Sequence, residues 1–209
     1  MRRRILRRYA QSMASLLKDV DVRRAVYARM LGPALRCADT LVIDELGLDH
    51  GACRVDIAVI NGHIRGLEIK AEADTLTRLP AQVAAYGEVV DKASLIVADR
   101  HLEAARDLLP NWWGMVVATR FASGGVALRR VRDEHVNRST DPVTLARLLW
   151  RPEAVQILRE LDYPERSLRG PREELYQILA KAMSRRLLSA RVRHALKVRA
   201  MWRDRPAPQ

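Results

Sequence analysis

The stretch RVDIAVINGHIRGLEIK, residues 54–70, constrains this chain more than any other. Two apolar, β-rich runs flank Asn61-Gly62, a dipeptide that turns one strand back on another. Yet the first run carries Asp56, and the second ends in Glu68-Ile69-Lys70. Side chains alternate faces along a strand, so the loop length decides where these charges go. If Asn61-Gly62 is a two-residue loop, Ile60 pairs with His63 and Asp56 with Leu67, and both faces mix charge with hydrocarbon. An odd loop sorts them, for instance Ile60-Asn61-Gly62 with Gly62 in a left-handed bulge. Asp56 then faces Gly66, and Glu68 is its diagonal neighbour at roughly 7–8 Å. Val55, Ile57, Val59, Leu67 and Ile69 share one face, while Asp56, Glu68 and Lys70 share the other. A slip of one residue reverses every side chain, so hydrophobic sorting selects the odd loop.

Two carboxylates converging from adjacent strands repel unless a cation lies between them. An all-oxygen set suits a hard ion, Mg²⁺ or Mn²⁺. Lys70, on the same face, can reach a water on that ion or a substrate phosphate. Metal and ammonium together suit hydrolysis of a phosphodiester. The competing reading is an internal salt bridge of Asp56 or Glu68 with Lys70 at the sheet rim, because Glu-x-Lys alone is very common.

Elsewhere the pattern alternates between periods. Residues 21–31 read as a helix with Val22, Val26 and Met30 on one face, stopped by Gly32-Pro33. Residues 40–48, 53–60 and 63–70 read as strands, and residues 78–92 as a helix with Pro80 in its first turn and Leu79, Val83, Tyr86 and Val90 as its apolar stripe. A strand (94–99), a short helix (100–109) and two strands (113–119 and 125–132) follow, the last two separated by Gly124-Gly125. From Asp141, a plausible cap before Pro142, the chain turns helical. The order predicts an α/β fold, a mixed central sheet flanked by helices with right-handed parallel crossovers and a C-terminal helical extension. The divisions expected are a basic N-terminal segment (1–20), a core (21–140), a basic helical extension (141–205) and a disordered tail (206–209).

The chain has 209 residues, 48% hydrophobic and 30% charged, enough for a buried core without staples. Its net charge of +12 points to a polyanionic partner, nucleic acid and DNA first, though arginine excess can also serve solubility alone. No apolar run reaches the roughly 20 residues of a membrane span, and Lys18-Asp19 interrupts any signal-peptide core. The expected location is cytoplasmic, free or nucleoid-associated. Cys37 and Cys53 read as reduced thiols in or near the core. His63, His101, His135 and His194 lack zinc spacing. Trp112-Trp113 suits either base stacking or the core.

The series Glu45, Asp56, Glu68-x-Lys70, followed by DTLTRLPAQVAAY, resembles the PD-(D/E)XK nuclease superfamily, the restriction-endonuclease-like fold. Within it the block is similar to a family of small bacterial and phage-associated proteins with a Gln-x-x-x-Tyr element. The resemblance is specific over residues 40–100 and weak over the C-terminal helices. Val55 stands where the superfamily's name has Pro, a usual variation. The resemblance implies a restriction-endonuclease-like core and a Mg²⁺- or Mn²⁺-dependent nuclease. Asp56 and Glu68, with Glu45 and the Ile69 carbonyl, would be metal ligands and Lys70 the catalytic lysine; Gln82 and Tyr86 would line the site. Arg78 and His50 are candidate nucleic-acid contacts. The basic C-terminal segment, with Arg185, Arg186, Arg191 and Arg193, would hold phosphates without reading sequence. Tyr86 also fits a core role, and Arg78 a capping one. The alternatives are a catalytically silent nucleic-acid- or partner-binding module and a docking element whose arginines meet an acidic protein. Cleavage of both strands of a duplex would favour a homodimer.

Overall fold

The computed structural model describes residues 16–121 and 124–203, apart from the side chains of His50 and residues 200–203. The arginine-rich start and the tail at 206–209 lie outside the described residues. Helices α1 (Asp19–Arg29) and α2 (Gly32–Arg36) lead into β1 (Leu41–Leu48), β2 (Cys53–Ile60) and β3 (Ile64–Lys70). Then follow α3 (Leu79–Val89), β4 (Lys92–Ala98), α4 (Leu102–Arg106), β5 (Gly114–Arg120) and β6 (Val126–Arg132). The C-terminal part comprises α5 (Pro142–Ala146), α6 (Arg151–Glu160), α7 (Glu165–Leu168), α8 (Arg172–Ala182) and α9 (Arg185–Arg203). Gly32-Pro33 does not merely stop α1: Pro33 sits in the first turn of α2, where its missing N–H costs nothing.

The strands form one mixed sheet in the order β1-β2-β3-β4-β5-β6. Strands β1 to β3 are antiparallel, β3–β4 and β4–β5 are parallel, and β6 returns antiparallel. Helix α1 buries Val22, Ala25 and Val26 against Ile57, Val59, Leu67 and Ile69 on one side of the sheet. On the other side Leu79, Tyr86 and Val89 of α3 join Leu145, Leu175, Leu188 and Val192 in one continuous cluster with Ile60, Ile64 and Leu95. The C-terminal helices are thus not an appendage. They complete the core of the sheet, and residue 140 marks no boundary of packing.

The hairpin keeps the odd parity in a different register. Ile60 pairs with Ile64 and Ile57 with Leu67, so the loop is Asn61-Gly62-His63. Asn61 Oδ1 accepts the His63 N–H at 3.1 Å, a side-chain turn that replaces the expected bulge; Gly62 is not left-handed. The two-residue shift brings Glu68 level with Asp56 instead of diagonal to it. A second departure concerns Val55. The β1–β2 ladder passes from Asp44↔Ile57 to Leu46↔Val55 and skips the Glu45/Asp56 level, where Glu45 is left-handed at φ 57. Both strands change parity there. Leu46 and Val55 pack on the α3 side, while Ile57 and Val59 pack on the α1 side. Val55 therefore leaves the apolar face assigned to it and joins Ala58 and Ile60 on the α3 side.

Cys37 is exposed and Cys53 half-buried; both are free. Cys37 thus falls outside the core, because it follows the short α2, which buries nothing.

Gly66 is fixed by contact, since a Cβ there would lie 2.9 Å from Tyr86 Cε2 and 3.3 Å from Val55 Cγ1. Neither neighbour is flexible, so Gly66→Ala should destabilise the fold by about 1–3 kcal/mol, read as a lower urea midpoint. An unchanged midpoint would contradict this packing.

Candidate active site

The sequence places Glu68 and Lys70 on one face of β3, and α3 closes over them. Gln82 and Tyr86, one helical turn apart, point the same way. Glu68 is fully buried and Lys70 only 5% exposed. Glu68 Oε1 accepts from Lys70 Nζ at 2.6 Å and from Gln82 Nε2 at 2.5 Å. Glu68 Oε2 accepts from the Tyr86 hydroxyl at 2.6 Å. Burial, then the Glu68 charge, raises the Tyr86 pKa, so its phenol stays a donor. The salt bridge foreseen as the alternative does form, but in the interior and not at a rim.

Asp56 comes from β2 and lines the same cavity, about 920 Å³ in volume, with Glu68, Lys70 and Gln82. Its Oδ2 accepts the Ile69 N–H at 2.7 Å. Burial, and then the Glu68 carboxylate, push the Asp56 pKa up to about 7. Burial also raises the Cys53 thiol, with Glu68 contributing. The site holds two carboxylates and one ammonium, so it is short of one positive charge when both acids ionise. Gln82 Oε1 is buried and has no protein partner among the described residues.

Glu45 reaches the cavity wall but is not a free ligand there. Its carboxylate meets Arg23 at 3.1 Å and Arg54 at 3.5 Å. Arg23, which the sequence reading passed over, lies on α1 and also donates to Asp44 Oδ1 at 2.8 Å and to the Asp56 carbonyl at 2.9 Å. The available signal was the polar side of α1, where Arg23 and Tyr27 are four residues apart; both bind Asp44. Arg78 is exposed at the cavity rim beside the start of α3. The side chain of His50 lies outside the described residues.

The C-terminal arginines do not line this cavity among the described residues. Arg185 donates to Thr140 Oγ1, Arg191 to Glu160 Oε2 and Arg193 to Ser189 Oγ. Arg185 is exposed and Arg191 and Arg193 are partly exposed, and Arg186 alone of the four makes no such bond among the described residues. Trp113 is fully buried and stacks on Tyr86 with centroids 5.1 Å apart, which excludes it from base stacking.

Among the described residues no group of three or more His, Cys, Asp and Glu side chains is poised to hold a metal. A family model described as Bacteriophage P4 protein cII matches residues 12–204. The chain belongs to the bacteriophage P4 protein cII family. Protein cII of Enterobacteria phage P4 is 27% identical over 88 residues, 42% of this chain and 33% of that protein. The match thus spans about a third of that relative's length. No solved structure matches the chain. No helix among the described residues is long and apolar enough to cross a membrane. The span matched to the cII family runs through the sheet, α3 and the C-terminal helices, the same extent as the shared core.

The Asp56 shift gives this cII-family protein a pH signature. Between about pH 4 and 7 the folded chain keeps a proton that the unfolded chain releases, so stability falls as pH rises through that window. In EDTA, urea unfolding should show the wild type losing stability between pH 5 and 8, with Asp56→Asn much flatter. Parallel pH profiles for the two proteins would refute the assignment.

Proposed function

We propose that this chain is a Mg²⁺- or Mn²⁺-dependent nuclease of the PD-(D/E)XK superfamily, hydrolysing phosphodiester bonds, most readily in DNA. One observation carries the reading: Asp56 and Glu68 converge in one cleft as two carboxylates beside a single ammonium, Lys70. The antiparallel β1–β3 unit, joined through α3 to a parallel β4, supports a restriction-endonuclease-like core. The +12 charge supports a nucleic-acid substrate, and the family name supports a phage or mobile-element setting.

The donor set fits a magnesium-like ion. Such ions keep several waters and take only one or two protein carboxylates, so the lack of a larger acidic cluster is no obstacle. Asp56, Glu68 and the Ile69 carbonyl would hold the ion, which when bound supplies a Lewis acid and a water of lowered pKa.

The remaining chemistry belongs to the side chains. Gln82 and Tyr86 fix the plane of the Glu68 carboxylate, leaving little reorganisation for the reaction. Lys70 has three donors. Glu68 takes one, and the others are free to orient a water or to meet charge developing on a phosphoryl oxygen. The buried Gln82 Oε1 offers an acceptor to a water or a substrate hydroxyl. Arg78 at the rim suits a flanking phosphate.

Purified protein should cut DNA in the presence of Mg²⁺ or Mn²⁺, and Lys70→Ala should lower the rate by about a hundredfold or more. Lys70→Ala also leaves a buried carboxylate short of its partner, so Asp56→Asn provides a second test that preserves packing. Failure of either ion to support cleavage of single-stranded, duplex or branched DNA, or RNA, would overturn the proposal.

A further inference from the structure

A second cavity, about 860 Å³, lies between the open edge of β1 and the C-terminal helices. It shares Glu45 and Gly51 with the cavity around Asp56, so the two are adjacent. Trp150 lines it and is 54% exposed. The Arg199 guanidinium lies over the Trp150 ring at 4.3 Å, itself fixed by the Glu153 carboxylate and the Leu148 carbonyl. A large aromatic ring is thus held rigid from one side and left open in a cleft.

The charges of the wall are graded. Asp44 and Glu45 are paired with Arg23, which Asp19 shares, and with Tyr27 and Arg54 respectively. Arg147 is shared between Asp49 and Glu173. Among the described residues Arg151 binds only the carbonyls of Leu168 and Gly170. Arg151 and Arg172 are both exposed and have no carboxylate partner among the described residues. The cleft therefore offers an aromatic face and two guanidiniums without a carboxylate partner among the described residues, beside the cavity that holds the candidate catalytic groups.

We infer that this cleft is a track for one nucleic-acid strand, with Trp150 as a base-stacking platform and Arg151 and Arg172 as phosphate contacts. The inference deepens the nuclease reading and rests on it, naming single-stranded nucleic acid as the substrate class. Bases in a duplex are covered on both faces by their neighbours, whereas an unpaired base can lie on a tryptophan, a contact worth about 1–3 kcal/mol. An open strand edge can also accept a peptide, but a peptide needs neither the ring nor the unpaired cations.

The test uses the full chain in EDTA, which keeps binding separate from cleavage, with a fluorescent oligo-dT strand and the matching duplex read by anisotropy. The single strand should bind about tenfold or more tighter than the duplex. Trp150→Ala should weaken single-strand binding about tenfold, while Trp150→Phe stays close to wild type. Arg172→Ala should weaken binding and reduce the salt slope by about one. Arg172→Ala keeps the test open if Trp150→Ala does not fold. Equal affinity for strand and duplex, or wild-type binding by folded Trp150→Ala and Arg172→Ala, would overturn the track; the second result is expected if a peptide occupies the edge. Metal-dependent cleavage combined with that result would leave the nuclease standing without the track. Trp150-dependent binding without cleavage would do the reverse.

Discussion

The grip on Glu68 organises the molecule. A carboxylate with no exposure in the middle of a sheet is tolerable only if its oxygens are occupied, and three donors from two elements occupy them. Each donor imposes a further requirement. Tyr86 can approach only because residue 66 is glycine, and its ring is backed by Trp113 from the start of β5. Gln82 must sit one turn before Tyr86, which sets the angle of α3. Lys70 must be two residues beyond Glu68, on the same side of β3. Sheet, helix and site are thus tied by one side chain.

That arrangement satisfies Glu68 and leaves Asp56 in difficulty. Its one charge-quenching contact is a backbone N–H, and the nearest ammonium already belongs to Glu68. Burial beside a second carboxylate makes ionisation costly, which is the physical meaning of a pKa near 7. Arg23 relieves the outer acids, Asp44 and Glu45, and touches only the carbonyl of Asp56. A protein selected only for stability would place an asparagine or a leucine there. We read the retained charge as the mark of a site waiting for a cation, which is what the nuclease proposal needs.

Much of this was legible in residues 54–70. Hydrophobic sorting required an odd loop, and that choice placed Asp56, Glu68 and Lys70 in one cleft. The register itself was not legible. Expecting a glycine bulge put the loop at 60–62, whereas the Asn61 side chain, bonding two residues ahead, sets it at 61–63. The left-handed Glu45, and with it the fate of Val55, depends on how β1 crosses β2, a non-local matter. The family resemblance pointed to Gln82 and Tyr86, but Arg23 lies 33 positions from the carbonyl it binds. Charge composition likewise says nothing about which of the C-terminal arginines have bonding partners within the fold. Glu160, Thr140 and Ser189 supply those partners in the fold.

The most direct measurement is calorimetric titration of Mn²⁺ into metal-free protein near pH 7, compared with Asp56→Asn. One ion per chain should bind the wild type with release of about half a proton as Asp56, about half protonated at that pH, ionises fully, and the variant should bind far more weakly. Absence of binding, or equal binding by both proteins, would contradict the idea that this acidic pair exists to hold a metal.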